Sequence, residues 1–408
     1  MKRRVVVTGC GALTAAGNTL DGLWQALLSG RTLVGKVTNF ACPELDSLSG
    51  AELVVPESYD LPASINGDAF RARCCHIALA AARQALVHAN LPVQPEGGWG
   101  EGAGLVLGTT MGEERQVGDL SERWTKQGAD SVDGGFLGRA DNHKLAAGIA
   151  AALGLGGPVW LNATACSSGN TALAWAFDFV ADGTADLMLA GGADTFTRAL
   201  FCGFARMSAL SKSVCKPFDK NRDGVSFGEG AGILVLEELA HARRRGARIL
   251  AEVVGYGLSN DAYHVTAPEP NGAGFVRAIE QALATTGASP DTIGYVCAHG
   301  TGTQYNDQGE VRALKTVFGE RAITIPTSSI KSAIGHTNGA AAAIGAIACV
   351  LALLHQTVPP TANLAEPDPE FGMDFVMNAG RPVELSACLN MSAGFGGANA
   401  CLLLARAP

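Results

Sequence analysis

The chain predicts an α/β fold in which helices cover both faces of a largely buried sheet. Asp186-Leu-Met-Leu-Ala-Gly-Gly192 and Ile233-Leu-Val-Leu-Glu237 are short and continuously apolar, the pattern of strands buried on both faces. Ala-rich stretches of helical length separate such runs, and glycines gather where the runs end.

With 408 residues, 47% of them hydrophobic and 17% charged, the chain can bury a large core. Two intimately packed halves are expected, residues 1–248 and 249–408, divided after the basic turn His241-Ala-Arg243-Arg-Arg245-Gly246. Both share a layout of apolar strand, glycine turn and Ala-rich helix. The net charge of −8 argues against a nucleic-acid partner and leaves room for a local basic patch facing an acidic protein. Met1-Lys2-Arg3-Arg4 followed by Val5-Val6-Val7 is too short for a signal peptide and reads as a first strand. Gly339 to Leu354 falls short of a membrane span and suits a closely packed internal helix, so a cytoplasmic location is expected. Eleven cysteines stand singly except Cys74-Cys75, with no C-x-x-C pair, so reduced thiols are expected in place of disulfides or zinc.

Taken in order, Val5-Val-Val-Thr-Gly9-Cys-Gly11 imitates the opening of a dinucleotide fold. Thr14 replaces the third glycine and no acidic strand end follows, so the glycines are read as a tight turn. Residues 70 to 90 form an amphipathic helix whose Arg71 and Arg73 either grip an acidic partner or sit on a solvated surface. Leu105 to Gly108 is a strand leading to a loop with Met111. Pro158 to Ala165 is a strand, Cys166 a sharp turn, and a helix runs from Ser167 or Ser168 to Asp182-Gly183. A thiol there meets the positive end of the helix and free backbone N–H groups, which favours thiolate and can hold an oxyanion. The stretch Phe204 to Asp219 is rich in turns and carries Arg206, Lys212 and Lys216, a docking surface or a soluble loop.

In the second half, His299-Gly-Thr301-Gly-Thr303 turns off the strand Ile293 to Ala298, and Asn306-Asp307-x-x-Glu310 follows on a helix. Ile323 to Thr327 is expected as a strand leading to Lys331-Ser-Ala-Ile-Gly-His336 and a long Ala-rich helix. A helix-terminal thiol with two strand-end histidines suits acyl-thioester chemistry, in which imidazole N–H groups stabilise an enolate. The positive end of the following helix should keep His336 neutral, and Lys331 can pair with Glu310. Gly394-Phe395-Gly396-Gly397 is a glycine hinge around one aromatic, or a turn capped by a core ring.

Ala-Thr-Ala-Cys166-Ser-Ser-Gly, His299-Gly-Thr-Gly-Thr303, Lys331-Ser-x-x-Gly-His336 and Gly394-Phe-Gly-Gly397 occur in that order. With them the chain resembles a β-ketoacyl-acyl-carrier-protein synthase of the elongating ketosynthase I/II type, in the thiolase superfamily. The resemblance implies a thiolase-like fold, two similar βαβαβαββ-type halves in a five-layer α-β-α-β-α arrangement. It implies decarboxylative condensation of malonyl-carrier protein with an acyl chain held on Cys166, helped by His299 and His336, with Lys331 and Glu310 in support. Backbone N–H groups of Cys166 and Phe395 would form an oxyanion hole, Phe395 would gate entry, and Thr301 and Thr303 would touch pantetheine. Met111 and Phe204 would line the acyl pocket, and Arg71, Arg73, Arg206 and Lys212 would contact the acyl carrier protein. No cofactor or metal is implied beyond the carrier's phosphopantetheine. The partner is a second copy or a chain-length-factor-like ketosynthase. A thiolase acting on acyl-CoA and a catalytically silent chain-length factor are the alternatives. The loops 41–66 and 112–142 depart from the housekeeping pattern, which leans the reading toward a specialised polyketide or polyene pathway over primary fatty-acid elongation.

Overall fold

The computed structural model describes residues 3–38, 40–45, 48–54, 64–65, 68–69, 73–132, 141–286 and 289–408. Val5–Thr14 (β1), Ala103–Gly108 (β2), Val159–Asn162 (β3), Leu187–Asp194 (β4) and Gly230–Glu238 (β5) form one half of a ten-stranded sheet. Ala251–Asn260 (β6), Ile293–Cys297 (β7), Thr327–Ser328 (β8), Ala387–Gly394 (β9) and Ala398–Arg406 (β10) form the other. From the centre outward the orders are β1-β5-β4-β2-β3 and β6-β10-β9-β7-β8. In both halves the first two pairings are antiparallel and the last two parallel. The halves join where Val5–Val7 pairs antiparallel with Ala251–Val253.

Helices Arg73–His88 (α1) and His143–Leu153 (α2) pack on one outer face. Ser168–Ala181 (α3) follows β3, and Arg198–Arg206 (α4) follows β4. Ala273–Thr286 (α5) and Gln304–Phe318 (α6) cover the other outer face, while α3 and Ala341–His355 (α7) fill the space between the halves. The layers therefore run α-β-α-β-α. Their chemistry follows from position. Lying in the middle layer, α7 is apolar on every side, and the segment Asn338–His355, long and apolar enough to cross a membrane, is buried inside the protein. A Cβ on Gly169 would lie 2.6 Å from the Ala343 nitrogen, so only glycine lets α3 and α7 approach this closely. Asn170 of α3 and Asn390 of β9 bond side chain to side chain at 2.8 Å, pinning the nucleophile's helix to the second half.

Two local expectations are corrected. Gly9 and Gly11 make no turn; they lie within β1, where a Cβ would come 2.2 Å from Ala85 O and 2.0 Å from Ala81 O. The glycines exist to let α1 lie on the strand. Ile323 to Thr327 is not a continuous strand: Ile323 and Thr324 close a 3-10 turn, Gly319–Thr324, and only Thr327–Ser328 enters the sheet. Local β-propensity there yields to the short parallel register that β7 offers.

Gly11→Ala should cost about 1–3 kcal/mol by overpacking, read as a lower midpoint of thermal unfolding. Gly35→Ala, where an added Cβ meets nothing within 4 Å, should leave the midpoint unchanged.

Candidate active site

Strand β3 stops at Asn162, three residues before its expected end, because Ala165 takes a left-handed backbone (φ 50°). A non-glycine residue there costs about 1–2 kcal/mol, so it must be held. Ser168 Oγ donates to Ala165 O at 2.6 Å, and Asn162 Nδ2 to Ser168 O at 3.2 Å. The turn throws Cys166 to the end of the sheet, one 3-10 turn ahead of α3. Its thiol is not the resting thiolate that a helix N-terminus suggests. Burial pushes it up to about 12, which Lys331 and a backbone N–H only partly offset. Desolvation is the largest influence on it.

His299 follows β7, and α6 turns two carboxylates back on the loop that carries it. Glu310 accepts the N–H groups of His299 and Gly300 at 2.6 and 2.8 Å. Asp307 accepts those of Thr301 and Phe218 at 3.1 and 2.9 Å. Lys331 Nζ donates to the His299 carbonyl at 2.5 Å. Among the described residues, Lys331 and Glu310 form no ion pair within 4.0 Å; they grip opposite sides of His299's backbone. That replaces the direct pair expected from sequence.

His336 accepts the Asn338 N–H on Nδ1 at 3.1 Å, so the neutral ring carries its proton on Nε2. Both rings are buried, 5.5 Å apart and edge to face. Burial first, then Lys331, drives His336 well below the usual imidazole range; burial, Lys331 and His336 do the same to His299. His336 is neutral as expected, with desolvation the largest cause.

A cavity of about 250 Å³ brings together Cys166, His299, His336, Thr301, Thr303, Phe204 and Phe395. The Thr301 and Thr303 hydroxyls lie 2.9 Å apart on its wall. Phe395 is 40% exposed at the rim and stacks on Phe204 with ring centroids 5.0 Å apart. A Cβ on Gly394 would stand 3.1 Å from the Cys166 nitrogen, so the glycine loop crosses directly over the nucleophile's backbone.

Other expected residues fall elsewhere. Met111 packs beside Phe201 and Phe227 in a neighbouring apolar cluster, not on the cavity wall. Arg73 is no docking cation: its guanidinium donates to buried Glu229 at 2.8 Å and to Leu53 O at 2.5 Å. A buried carboxylate claims the charge that sequence alone leaves free. Arg71 lies outside the described residues. Arg206 and Lys212 are exposed and flank Met207 and Ala209, which line the cavity. Sequence reasoning missed Asp194, whose buried carboxylate accepts Thr109 Oγ1 and the N–H groups of Thr110, Met111, Gly112 and Gly339. Its signal was a carboxylate closing the apolar run Leu187 to Ala193.

A nucleophilic thiol facing two neutral imidazoles across a five-layer α-β-α-β-α body defines an acyl-transferring enzyme of the thiolase-like class. Residues 2–242 match the β-ketoacyl synthase N-terminal domain and residues 250–365 its C-terminal domain. The 3-oxoacyl-[acyl-carrier-protein] synthase 2 of Synechocystis sp. is 39% identical over 411 residues, covering 98% of this chain and 97% of that protein. The ishigamide ketosynthase/chain length factor superposes with a TM-score of 0.93 at 37% identity over 100% of both chains. A type II polyketide ketosynthase in complex with its acyl-carrier protein and bound to the hexaketide gives 0.91 at 31%, again over 100% of both. The chain belongs to the β-ketoacyl synthase family. It is an acyltransferase that joins acyl units by condensation.

Because the folded protein holds both imidazoles neutral while the unfolded chain protonates them near pH 6.5, the unfolded state binds more protons below that pH. The two rings therefore cost stability as the pH drops below 6.5, by up to about 1.4 kcal/mol per pH unit each, while the buried carboxyls of Glu310 and Glu113, pushed up to about 7, contribute with the opposite sign. His299→Asn/His336→Asn should remove the rings' share, so thermal melts between pH 7 and 5 should show the variant losing less stability than the parent.

Proposed function

We propose that Cys166 accepts an acyl chain from the phosphopantetheine thioester of an acyl carrier protein and that His299 and His336 drive decarboxylative condensation with malonyl-carrier protein. The observation that carries this is the shared cavity, with the thiol, both imidazoles and the Phe395 loop on its walls. In the first half-reaction the Cys166 sulfur attacks the thioester carbon, pantetheine leaves as its thiol, and the Cys166 proton ends on the departing sulfur. The N–H groups of Cys166 and Phe395, brought together by Gly394, receive the oxyanion.

In the second, the malonyl C–C bond breaks to release CO₂. The enolate oxygen takes hydrogen bonds from neutral imidazole N–H groups, and its carbon attacks the acyl-Cys166 carbonyl, expelling the cysteine sulfur as a thiolate that regains its proton from water. Neutral rings suit this step, since an N–H donor of moderate acidity stabilises the enolate without protonating it. Lys331 and Glu310 act as positioning residues through the His299 peptide. Thr301 and Thr303 take the pantetheine arm. Phe395 moves off Phe204 to admit it, and Phe204 lines the acyl path, with Met111 one layer behind.

Arg206 and Lys212 supply the carrier's docking charge. The outer edge of β3, where Trp160 is 52% exposed, supports pairing with a second ketosynthase-like chain, either another copy or a chain-length factor. Reduced thiols throughout and carrier-bound substrates fit a cytoplasmic enzyme.

Incubation with acyl-carrier protein should add one acyl mass to the intact chain, and Cys166→Ala should abolish the gain. His336→Ala should still be acylated yet condense at least about 100-fold more slowly with malonyl-carrier protein. No acylation by any carrier-bound chain would refute the reading. A second measurement separates docking from chemistry: Arg206→Glu/Lys212→Glu should raise KM for the carrier about 10-fold while acylation from a free pantetheine thioester is unchanged.

A further inference from the structure

Away from the cavity, three metal-binding side chains that the sequence scatters come together. The Cys42 and Cys202 sulfurs are 3.6 Å apart across 160 residues of chain, and Glu44 Oε2 lies 3.4 Å from the Cys42 sulfur. All three ligand atoms sit within 4.8 Å of one another. Tetrahedral Zn²⁺, with Zn–S of about 2.3 Å and Zn–O of about 2.0 Å, holds two sulfurs about 3.8 Å apart and sulfur from oxygen about 3.5 Å apart. The Cys42–Cys202 and Cys42–Glu44 separations agree with these values to about 0.2 Å, and the Cys202–Glu44 separation is within 4.8 Å.

The surroundings match a ligating set. Arg198 donates to the other carboxylate oxygen of Glu44, and its second nitrogen donates to Glu122 at 2.9 Å. Such an outer contact orients a coordinating carboxylate. Two thiolates and the carboxylates of Glu44 and Glu122 are balanced by a divalent ion, Arg198 and Lys126, which pairs with Glu122. Phe40 and Phe201, stacked at 6.0 Å, back the site, while Cys202 and Glu44 reach solvent and leave an entry for the ion.

We propose that Cys42, Cys202 and Glu44 form a Zn²⁺ site, with water as fourth ligand. Binding displaces one proton from each thiol. The ion ties the segment before Gly50 to α4, two residues ahead of Phe204, whose ring stacks on Phe395. It therefore stiffens the cavity wall from behind without touching Cys166.

The test uses full-length Cys166→Ala protein, so that the nucleophile does not report, stripped by chelation and loaded with Co²⁺ under reducing conditions. One equivalent should bind with a thiolate-to-cobalt charge-transfer band that Zn²⁺ abolishes. Cys42→Ser and Cys202→Ser should each lose the band, and Arg198→Ala should bind about 10-fold more weakly. Should a cysteine variant fail to fold, Glu44→Gln, at an exposed position, carries the test with an expected loss of about 10-fold. A band that survives both serine variants, cobalt bound without the band, affinity unchanged by Glu44→Gln, or a Cys42–Cys202 disulfide in peptides of the untreated protein would each overturn the proposal.

Discussion

A single buried carboxylate holds the reaction centre together. Asp194, at the end of β4, gathers hydrogen bonds from the loop after β2 and, through Gly339 N–H at 2.6 Å, from the turn that carries His336 into α7. Burial raises the carboxyl, and hydrogen bonds from Met111, Thr110, Thr109 and Gly339 oppose that rise. The loop it fixes also takes the Ser168 hydroxyl on Thr109 O at 3.1 Å, so the start of the nucleophile's helix is tied to the same point. Cys166 and His336 come from different halves of the chain. Asp194 is where those halves are made to agree.

Around this point the protein removes its catalytic groups from water. Desolvation keeps the Cys166 thiol protonated and both imidazoles neutral, so the three reacting groups carry no charge at rest. Such a centre is prepared for charge that appears only during reaction, first on a thioester oxygen and then on an enolate. Positioning is done by backbone contacts more than by side-chain pairs: Glu310, Asp307 and Lys331 all bind the peptide groups of residues 299 to 301. Moving any of them shifts His299 as a unit.

The remaining freedom lies at the rim. Phe395, 40% exposed, rests on Phe204 with its ring planes 7° apart; the glycines after it are hydrogen-bonded, the Gly396 N–H donating to Val265 O at 2.7 Å and Gly397 O accepting the Asp261 N–H at 2.8 Å, so the freedom is that of the ring. Phe204 in turn meets Phe227, and Phe227 lies 6.1 Å from His336. An aromatic path thus links the gate to the imidazole, and α4, which bears Phe204, is the element whose anchoring decides how rigid that path is.

Sequence by itself determined the α/β class, the strand-to-helix placement of Cys166, the strand-end position of His299 and the apolar middle helix. These depend on local pattern: apolar runs, glycines at turns and capping positions encode them within a dozen residues. It could not reach what depends on distant approach. The role of Gly9 and Gly11 is set by α1 lying across them, the fate of Arg73 by Glu229 far along the chain, and the contacts of Lys331 and Glu310 by the loop folded between them. Charge states were likewise a tertiary outcome. A helix N-terminus is legible in a string of residues, whereas the desolvation that raises the Cys166 thiol exists only once both halves have closed around it.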